Sequence, residues 1–456
     1  MKPKVNYLLV ILATLLITGA CNNSSLDDKK VEQLNSLMHY VDSTDMFSGA
    51  ILITKNKQVV FDNYYGFSDM SEMTKNTQTI KYSLESLTKP ITATVIFQLI
   101  EEGKLTLDSK LNALLLDFPY DEIKIKHLLN HTSGLVDYAF VADKSWSTDT
   151  DNLSNNDVIN YLKSKAPALK FNPGSEWNYC NTNYAVLSNV AEKVSGKKWD
   201  ELIKNRFFKD YEFDTSEIDF ANFDKTDIAI GHSFDFLKGK YVPVYEKDRL
   251  KRDFFLNGVD GARGLYLSPS KFNDWFLKLM NGDFVSKESL QLMETINHDK
   301  GQYGYGWQIS TDSLFGKTIY HHGAGNGYKN RFYSFPEKSL NISIFSNIGE
   351  EYTDSILLAI INIMKNKPYE LPKKSAVQFI ATDTENNIQN KLSTLKERKT
   401  SYYFKDQEIK NLVFSYWYLG ESNKAVKLLK GFTDILPEKT ELRDIYNQMV
   451  AAIDSQ

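Results

Sequence analysis

The chain reads as an α+β protein with a helical tail. Two observations predict the α+β part. Apolar runs of strand type lie at both ends of the stretch 48–346, and helical apolar spacing fills the segment between them. A third predicts the tail: beyond Pro368 and Pro372 the pattern is helical throughout. The expected architecture is an antiparallel sheet completed by the two ends of the 31–367 segment and flanked by helices. A small all-helical appendage over 373–456 follows it.

Residues 1–21 carry the marks of an export signal. Lys2 and Lys4 precede an apolar run, Tyr7 to Ile17, that is too short to span a bilayer. The run ends Thr18-Gly19-Ala20-Cys21. Small residues directly before a cysteine are similar to a bacterial lipobox, with Thr18 where leucine is usual. That implies a lipidated Cys21 at the head of the mature protein; ordinary cleavage near Ala20 is the alternative. Residues 22–30 are polar apart from Leu26, as a tether is. The expectation is a protein exported and held by a lipid anchor on a bacterial membrane, periplasmic or at the cell surface.

Val31, Leu34, Leu37 or Met38, and Val41 predict an amphipathic helix. Ser48 to Thr54 and Gln58 to Tyr65 flank Lys55-Asn56-Lys57 as a β-hairpin. From Pro90, Ile91, Val95, Ile96, Leu99 and Ile100 recur at helical spacing, and Gly103 stands where a C-terminal cap would. Leu105 to Phe118 reads as a loop with a buried aliphatic edge. His131-Thr132-Ser133-Gly134 is a polar turn. Asn183 to Val194 is a helix closed by Gly196, Lys238-Gly239-Lys240 is a turn, and Ser268-Pro269 starts a helix. Tyr305 to Ser310, Lys317 to His321, Lys329 to Phe335 and Asn341 to Ser346 read as antiparallel strands, and Thr353 to Lys365 as a helix. In the tail, Thr382-x-x-Glu385 reads as a capping box. The helix pair around Gly420, Ala425 and Pro437 is similar to a single tetratricopeptide-like unit.

With 54 basic against 58 acidic side chains, the chain offers no basic excess to draw a nucleic acid. Only Cys180 remains after Cys21, which leaves no intrachain disulfide to form. The pair His321-His322 has no further ligand-spaced His or Cys near it, so neither metal nor cofactor is expected.

Chemistry enters at Ser86 and Lys89. Residues three apart on a helix share a face, so the amine can reach the hydroxyl. Burial lowers a lysine pKa and lets it accept the serine proton. Taken alone, the pair reads as an N-cap and a solvated first-turn lysine, and Ser-x-x-Lys recurs at Ser195, Ser268 and Ser393. Two more clusters stand out: Tyr179-Cys180-Asn181 after Pro173-Gly174, and His321-His322-Gly323-Ala324 at the end of a short strand. Alone, Tyr179 reads as a core aromatic, Asn181 as a helix cap, and both histidines as strand residues. Cys180 reads as passive lining or, less simply, as a reactive thiol.

In order, the chain carries Ser86-Leu87-Thr88-Lys89-Pro90, Glu101-Glu102-Gly103-Lys104-Leu105, His127-Leu128-Leu129-Asn130-His131-Thr132-Ser133-Gly134-Leu135, Tyr179-Cys180-Asn181, Tyr303-Gly304-Tyr305-Gly306-Trp307 and His321-His322-Gly323. Over Ser48 to Gly349 this series resembles the penicillin-recognising serine enzymes: class C β-lactamases, D-alanyl-D-alanine carboxypeptidases, and related esterases and D-aminopeptidases. The resemblance implies a β-lactamase/transpeptidase-like fold. It makes Ser86 the nucleophile, Lys89 its base and Tyr179 a partner in proton transfer. Asn181 would hold the substrate amide and Lys89. His321 replaces the lysine of the Lys-Thr-Gly triplet common in β-lactamases, and Gly323 would let substrate backbone approach. Backbone N–H groups of Ser86 and Ala324 would form the oxyanion hole, each contributing about 3 kcal/mol of barrier lowering. His131 is expected to bond the turn. Lys329, Arg331 and Arg263 are candidates for a substrate carboxylate.

These readings predict a serine hydrolase with an acyl-enzyme on Ser86, acting on a small-molecule or peptide substrate through an acyl carbonyl. A peptidase or esterase is favoured over a β-lactamase, because histidine is mostly neutral at pH 7 where the β-lactamases place a fixed charge. A class C-type β-lactamase and a catalytically silent binding lipoprotein are the alternatives. The helices of 373–456 are a candidate surface for a protein partner.

Overall fold

The computed structural model describes residues 26–140, 153–209, 214–215, 227–246, 258–349, 352–382 and 387–454. Cys21, the export signal and Glu385 therefore lie outside the described residues.

Apolar spacing gives α1 (Asp28–Asp42), whose Leu34, Leu37, Met38 and Val41 are buried. The hairpin follows as β1 (Gly49–Lys55) and β2 (Gln58–Tyr65). α2 (Thr88–Glu101) comes next, then α3 (Asn155–Lys165) and α4 (Asn181–Ser195). A second hairpin, β3 (His232–Asp235) and β4 (Lys240–Pro243), turns at Gly239. α5 (Pro269–Asn281) begins as expected, with the Ser268 side chain accepting from the Lys271 N–H and proline at the first helical position. Four strands then run antiparallel: β5 (Gln308–Asp312), β6 (Gly316–Gly325), β7 (Tyr328–Phe335) and β8 (Leu340–Ser346).

The main sheet has the order β5-β6-β7-β8-β1-β2. The ends of the segment meet at its centre, with Gly49 opposite Ser346 and Leu52 opposite Ser343. Strand alternation sends Ala50, Phe332 and Phe345 to one face, against a core that includes α2, α4 and α5. It sends Ile51, Ile53, Ile342 and Ile344 to the other face, against α1 and α6 (Tyr352–Met364). The α+β reading holds, with an antiparallel main sheet flanked by helices on both faces.

The tail packs α7 (Asp406–Tyr418), α8 (Ser422–Ile435) and α9 (Thr440–Asp454) with two shorter helices, Ala376–Ala381 and Ile388–Glu397. Its core also takes in Phe234 of β3. The capping box read at Thr382-x-x-Glu385 reaches Glu385, outside the described residues. Thr382 itself closes the helix Ala376–Ala381, which the Ser375 side chain caps by accepting from the Gln378 N–H, and a further helix begins after Asn387. One local expectation is corrected. The helix expected from Pro90 starts at Thr88, after a 3₁₀ turn over Glu85–Leu87. Proline in a first turn removes no helical hydrogen bond, so it does not define the start. Leu105 to Phe118 likewise contains a short helical turn, Leu111–Leu114, with Leu111 and Leu115 buried.

Candidate active site

From Ile80 to Phe97 every residue is buried except Ser86, which is partly open. The turn that exposes it is held from three sides. Asn330 on β7 donates to the Ser83 carbonyl at 2.7 Å and is wholly buried. The Leu84 N–H donates to the Leu265 carbonyl at 2.8 Å. On β6, a Cβ on Gly323 would lie 2.2 Å from the Leu84 carbonyl oxygen, so only glycine lets the strand come this close. At Gly323 the close approach seen is that of the serine's own turn. Glu85, immediately before the serine, has φ +50°, a left-handed conformation that costs energy for a residue with a Cβ.

Lys89 is 0% exposed. Its Nζ lies 2.9 Å from Ser86 Oγ, 2.9 Å from Asn181 Oδ1 and 2.8 Å from the Ala262 carbonyl oxygen. An ammonium fills these three contacts with its three protons. Burial pulls the lysine pKa down to about 7, helped by the Arg263 guanidinium and opposed by Asp137, Glu85 and Cys180. Near neutral pH the amine therefore exists in both forms. Neutral, it donates to Asn181 and Ala262 and offers its lone pair to the Ser86 hydroxyl.

Tyr179 and Asn181 sit at the head of α4. Lys89 Nζ is 4.9 Å from the Tyr179 ring centroid. Burial holds the phenol far above its usual pKa, while a hydrogen bond with Ser86 works the other way. The ring is thus a phenol at neutral pH, a group able to pass a proton on rather than a standing base. Asn181 is fixed by Asp137, whose Oδ2 accepts from the Asn181 backbone N–H at 2.8 Å and from its Nδ2 at 3.0 Å. That leaves Asn181 Oδ1 facing Lys89.

His131 ties its turn to the head of α4 instead of bonding within the turn: its Nδ1 accepts from the Cys180 N–H at 3.1 Å. Its ring packs at a tilt against Tyr179 with centroids 4.3 Å apart, and so orients the phenol. His321 is 1% exposed. Its Nδ1 lies 2.9 Å from the His322 carbonyl, which can only accept, so Nδ1 carries the proton and Nε2 accepts from Tyr303 Oη at 3.0 Å. Burial, with Lys89 nearby, keeps this imidazole neutral. His322 points to the other face, 2.9 Å from Tyr333 Oη. Ala324 is exposed near the end of β6. Cys180 is buried and its thiol is pushed up to about 12, which makes it inert lining.

Lys329 and Arg331 do not reach this cleft. They alternate to the opposite face of β7, where both pair with Asp354 of α6, Arg331 through two hydrogen bonds of 2.5 and 3.0 Å. Arg263 is the one of the three candidates that borders the site. Sequence reasoning missed Asp137, Tyr303 and Glu85. Asp137 and Tyr303 carried a faint signal, each lying within or beside a quoted motif, and Glu85 carried none.

The Beta-lactamase family model matches residues 34–361. The chain is 27% identical over 361 residues to penicillin-binding protein 4* of Bacillus subtilis (strain 168), covering 77% of this chain and 80% of that one. Among solved structures, the octameric penicillin-binding protein homologue from Pyrococcus abyssi superposes with a TM-score of 0.63 at 25% identity, covering 74% of this chain and 78% of that one. A D-amino acid amidase from Ochrobactrum anthropi SV3 superposes with a TM-score of 0.59 at 17% identity, covering 74% and 99%. The family match spans most of the chain and includes every side chain of the cleft described above: the chain belongs to the Beta-lactamase family, and its fold is that of the penicillin-binding serine hydrolases.

Proposed function

We propose that the protein is an exported serine hydrolase that cleaves amides or esters, of the D-amino-acid peptidase, carboxypeptidase or esterase kind, through an acyl-enzyme on Ser86. The observation that carries this reading is the Lys89 amine, held near neutrality 2.9 Å from Ser86 Oγ. Neutral Lys89 takes the hydroxyl proton as Ser86 Oγ attacks the carbonyl. The backbone N–H groups of Ser86 and Ala324 receive the oxyanion. The Tyr179 phenol gives its proton to the leaving group and is reprotonated from Lys89. Asn181 holds the substrate carbonyl side and Lys89 together. Water then attacks the ester and the same groups return the proton. The family's fold accommodates amide cleavage, since a D-amino acid amidase shares it.

A β-lactamase is disfavoured by His321, which is neutral and engaged at both ring nitrogens and so presents no fixed charge to a drug carboxylate. Residues 31–367 form the hydrolase unit in this reading and 373–456 a packed helical appendage open to a protein partner. Residues 1–21 direct export, and Cys21 carries the lipid.

A fluorophosphonate and a fluorescent penicillin, each applied to the wild type and to Ser86→Ala, test the reading. Labelling of the wild type by the phosphonate and its loss in the variant are expected. Equal labelling of both proteins removes Ser86 from the nucleophile role, and no labelling of either favours the silent binding protein.

A further inference from the structure

Glu85 is 1% exposed, yet its Oε2 has no hydrogen-bond partner. A bare carboxylate oxygen in a dry site is costly unless a charge faces it. Its Oε1 is occupied, accepting from Ser83 Oγ at 3.0 Å and from Asn326 Nδ2 at 3.4 Å. Across from Oε2 stands the Arg263 guanidinium, with Nε at 3.9 Å, an ion pair too long to be a direct hydrogen bond. The same oxygen looks onto the backbone of β6, where a Cβ on Gly325 would come within 2.6 Å of it.

The arginine rides on a loop with little freedom. Lys89 Nζ donates to the Ala262 carbonyl and Thr92 Oγ1 to the Gly261 carbonyl, both at 2.8 Å. The Asp260 N–H donates to Asn155 Oδ1 at 2.7 Å, and Ser188 Oγ donates to the Asp260 carbonyl at 3.1 Å. From Gly261 to Pro269 every residue is buried except Arg263. The pattern repeats that of Ser86: one partly open side chain in a buried run, aimed at the same cleft.

The end of the cleft is also defined. Tyr179, which serves the leaving group in the function proposed above, lies beside His321, with ring centroids 6.3 Å apart. Glu85 lies beside Gly325, four residues further along β6, and Arg263 faces Glu85 across that corner. With Tyr179 serving the leaving group, the function proposed above puts the acyl portion of a substrate on this side.

We infer that Arg263, positioned by the buried carboxylate of Glu85, selects substrates whose acyl portion carries a carboxylate. The inference rests on the serine-hydrolase reading and names its substrate class. A guanidinium binds a carboxylate through paired donors and keeps its charge at every working pH. Glu85 supplies the opposite charge that faces the partly enclosed guanidinium and orients it. An acyl ammonium would meet Arg263 before it met the enclosed Glu85, so a cationic acyl group is rejected. The groups facing this corner are Lys89, Asp137 and Glu85 together with Arg263. Lys89 is present in both forms near neutral pH, so Arg263 is the one cation of the corner that keeps its charge, and the discrimination is assigned to contact with it.

Three p-nitrophenyl esters test this on the full chain: the hemi-adipate, the hexanoate and the 6-aminohexanoate, with turnover by Ser86→Ala subtracted. The expected order of kcat/KM for the wild type is adipate above hexanoate above aminohexanoate, with the first step about tenfold or more, the scale of one charge-assisted contact. In Arg263→Gln the adipate-to-hexanoate ratio falls toward one, and in Arg263→Lys it is partly restored. A wild type that cleaves hexanoate and adipate equally, or prefers the ammonium ester, overturns the inference while the hydrolase reading stands. If Arg263→Gln does not fold, the wild-type order alone decides. No turnover of any ester, together with no phosphonate labelling, overturns the reading and this inference with it.

Discussion

At the scale of single residues, the account turns on what burial does to an amine. Lys89 has no exposed surface, and the cost of an ammonium there brings its pKa into the range where a general base works best. Lys89→Met keeps the volume and removes the base. Its acylation rate, read as the burst with an activated ester, is expected to fall about 10²- to 10⁴-fold. A burst at the wild-type rate would show that another group takes the proton. Ser86, Lys89, Tyr179 and Asn181 were legible in the sequence because each sits in a short string of distinctive residues, and those strings keep a fixed order. Asp137, Glu85 and Tyr303 were not. Asp137 acts on Asn181 from 44 positions away, and its place just after the His-Thr-Ser-Gly turn does not say which residue it holds. Glu85 looks like any polar residue of a turn until folding encloses it. Charge alone also misled: Lys329 and Arg331 share a strand with site residues, yet alternation sends them to Asp354.

At the scale of elements, the proposed reaction depends on how closely β6 approaches the turn before α2. Gly323 permits that approach, since its missing Cβ would fall on the Leu84 carbonyl. Gly323→Ala is therefore expected to push the strand from the turn and lower kcat about 100-fold, the scale of an ångström of misplacement. Wild-type kcat in that variant would mean the strand has room to spare. The strands and most helices could be read from apolar periodicity, because the sheet buries both faces and repeats its pattern. Element starts were harder to read. No cap was read at Ser375, yet its side chain accepts from the Gln378 N–H and starts the helix that Thr382 closes. Pro90 marks a first turn without marking its first residue.

At the scale of the whole molecule, the tail and the sheet domain share buried surface. Phe234 of β3 lies in the core of the C-terminal helices, and Tyr352 of α6 accepts from the Ser375 N–H and donates to Gln378 Oε1. The sequence separated the two segments at their prolines and gave no sign that a hairpin bridges them, since Phe234 lies far from both. Thermal unfolding is expected to be one transition, lowered in Phe234→Ala by about 3 kcal/mol of stability. Two well-separated transitions in the wild type would contradict that coupling. The central claim, however, concerns the cleft, and one measurement addresses it directly: the pH dependence of covalent labelling at Ser86 by a fluorophosphonate. Only the neutral amine can accept a proton, so the rate should rise with pH, reach half its maximum near the Lys89 value of about 7, and level off above it. A rate unchanged across this range, or labelling at some other residue, would contradict the account.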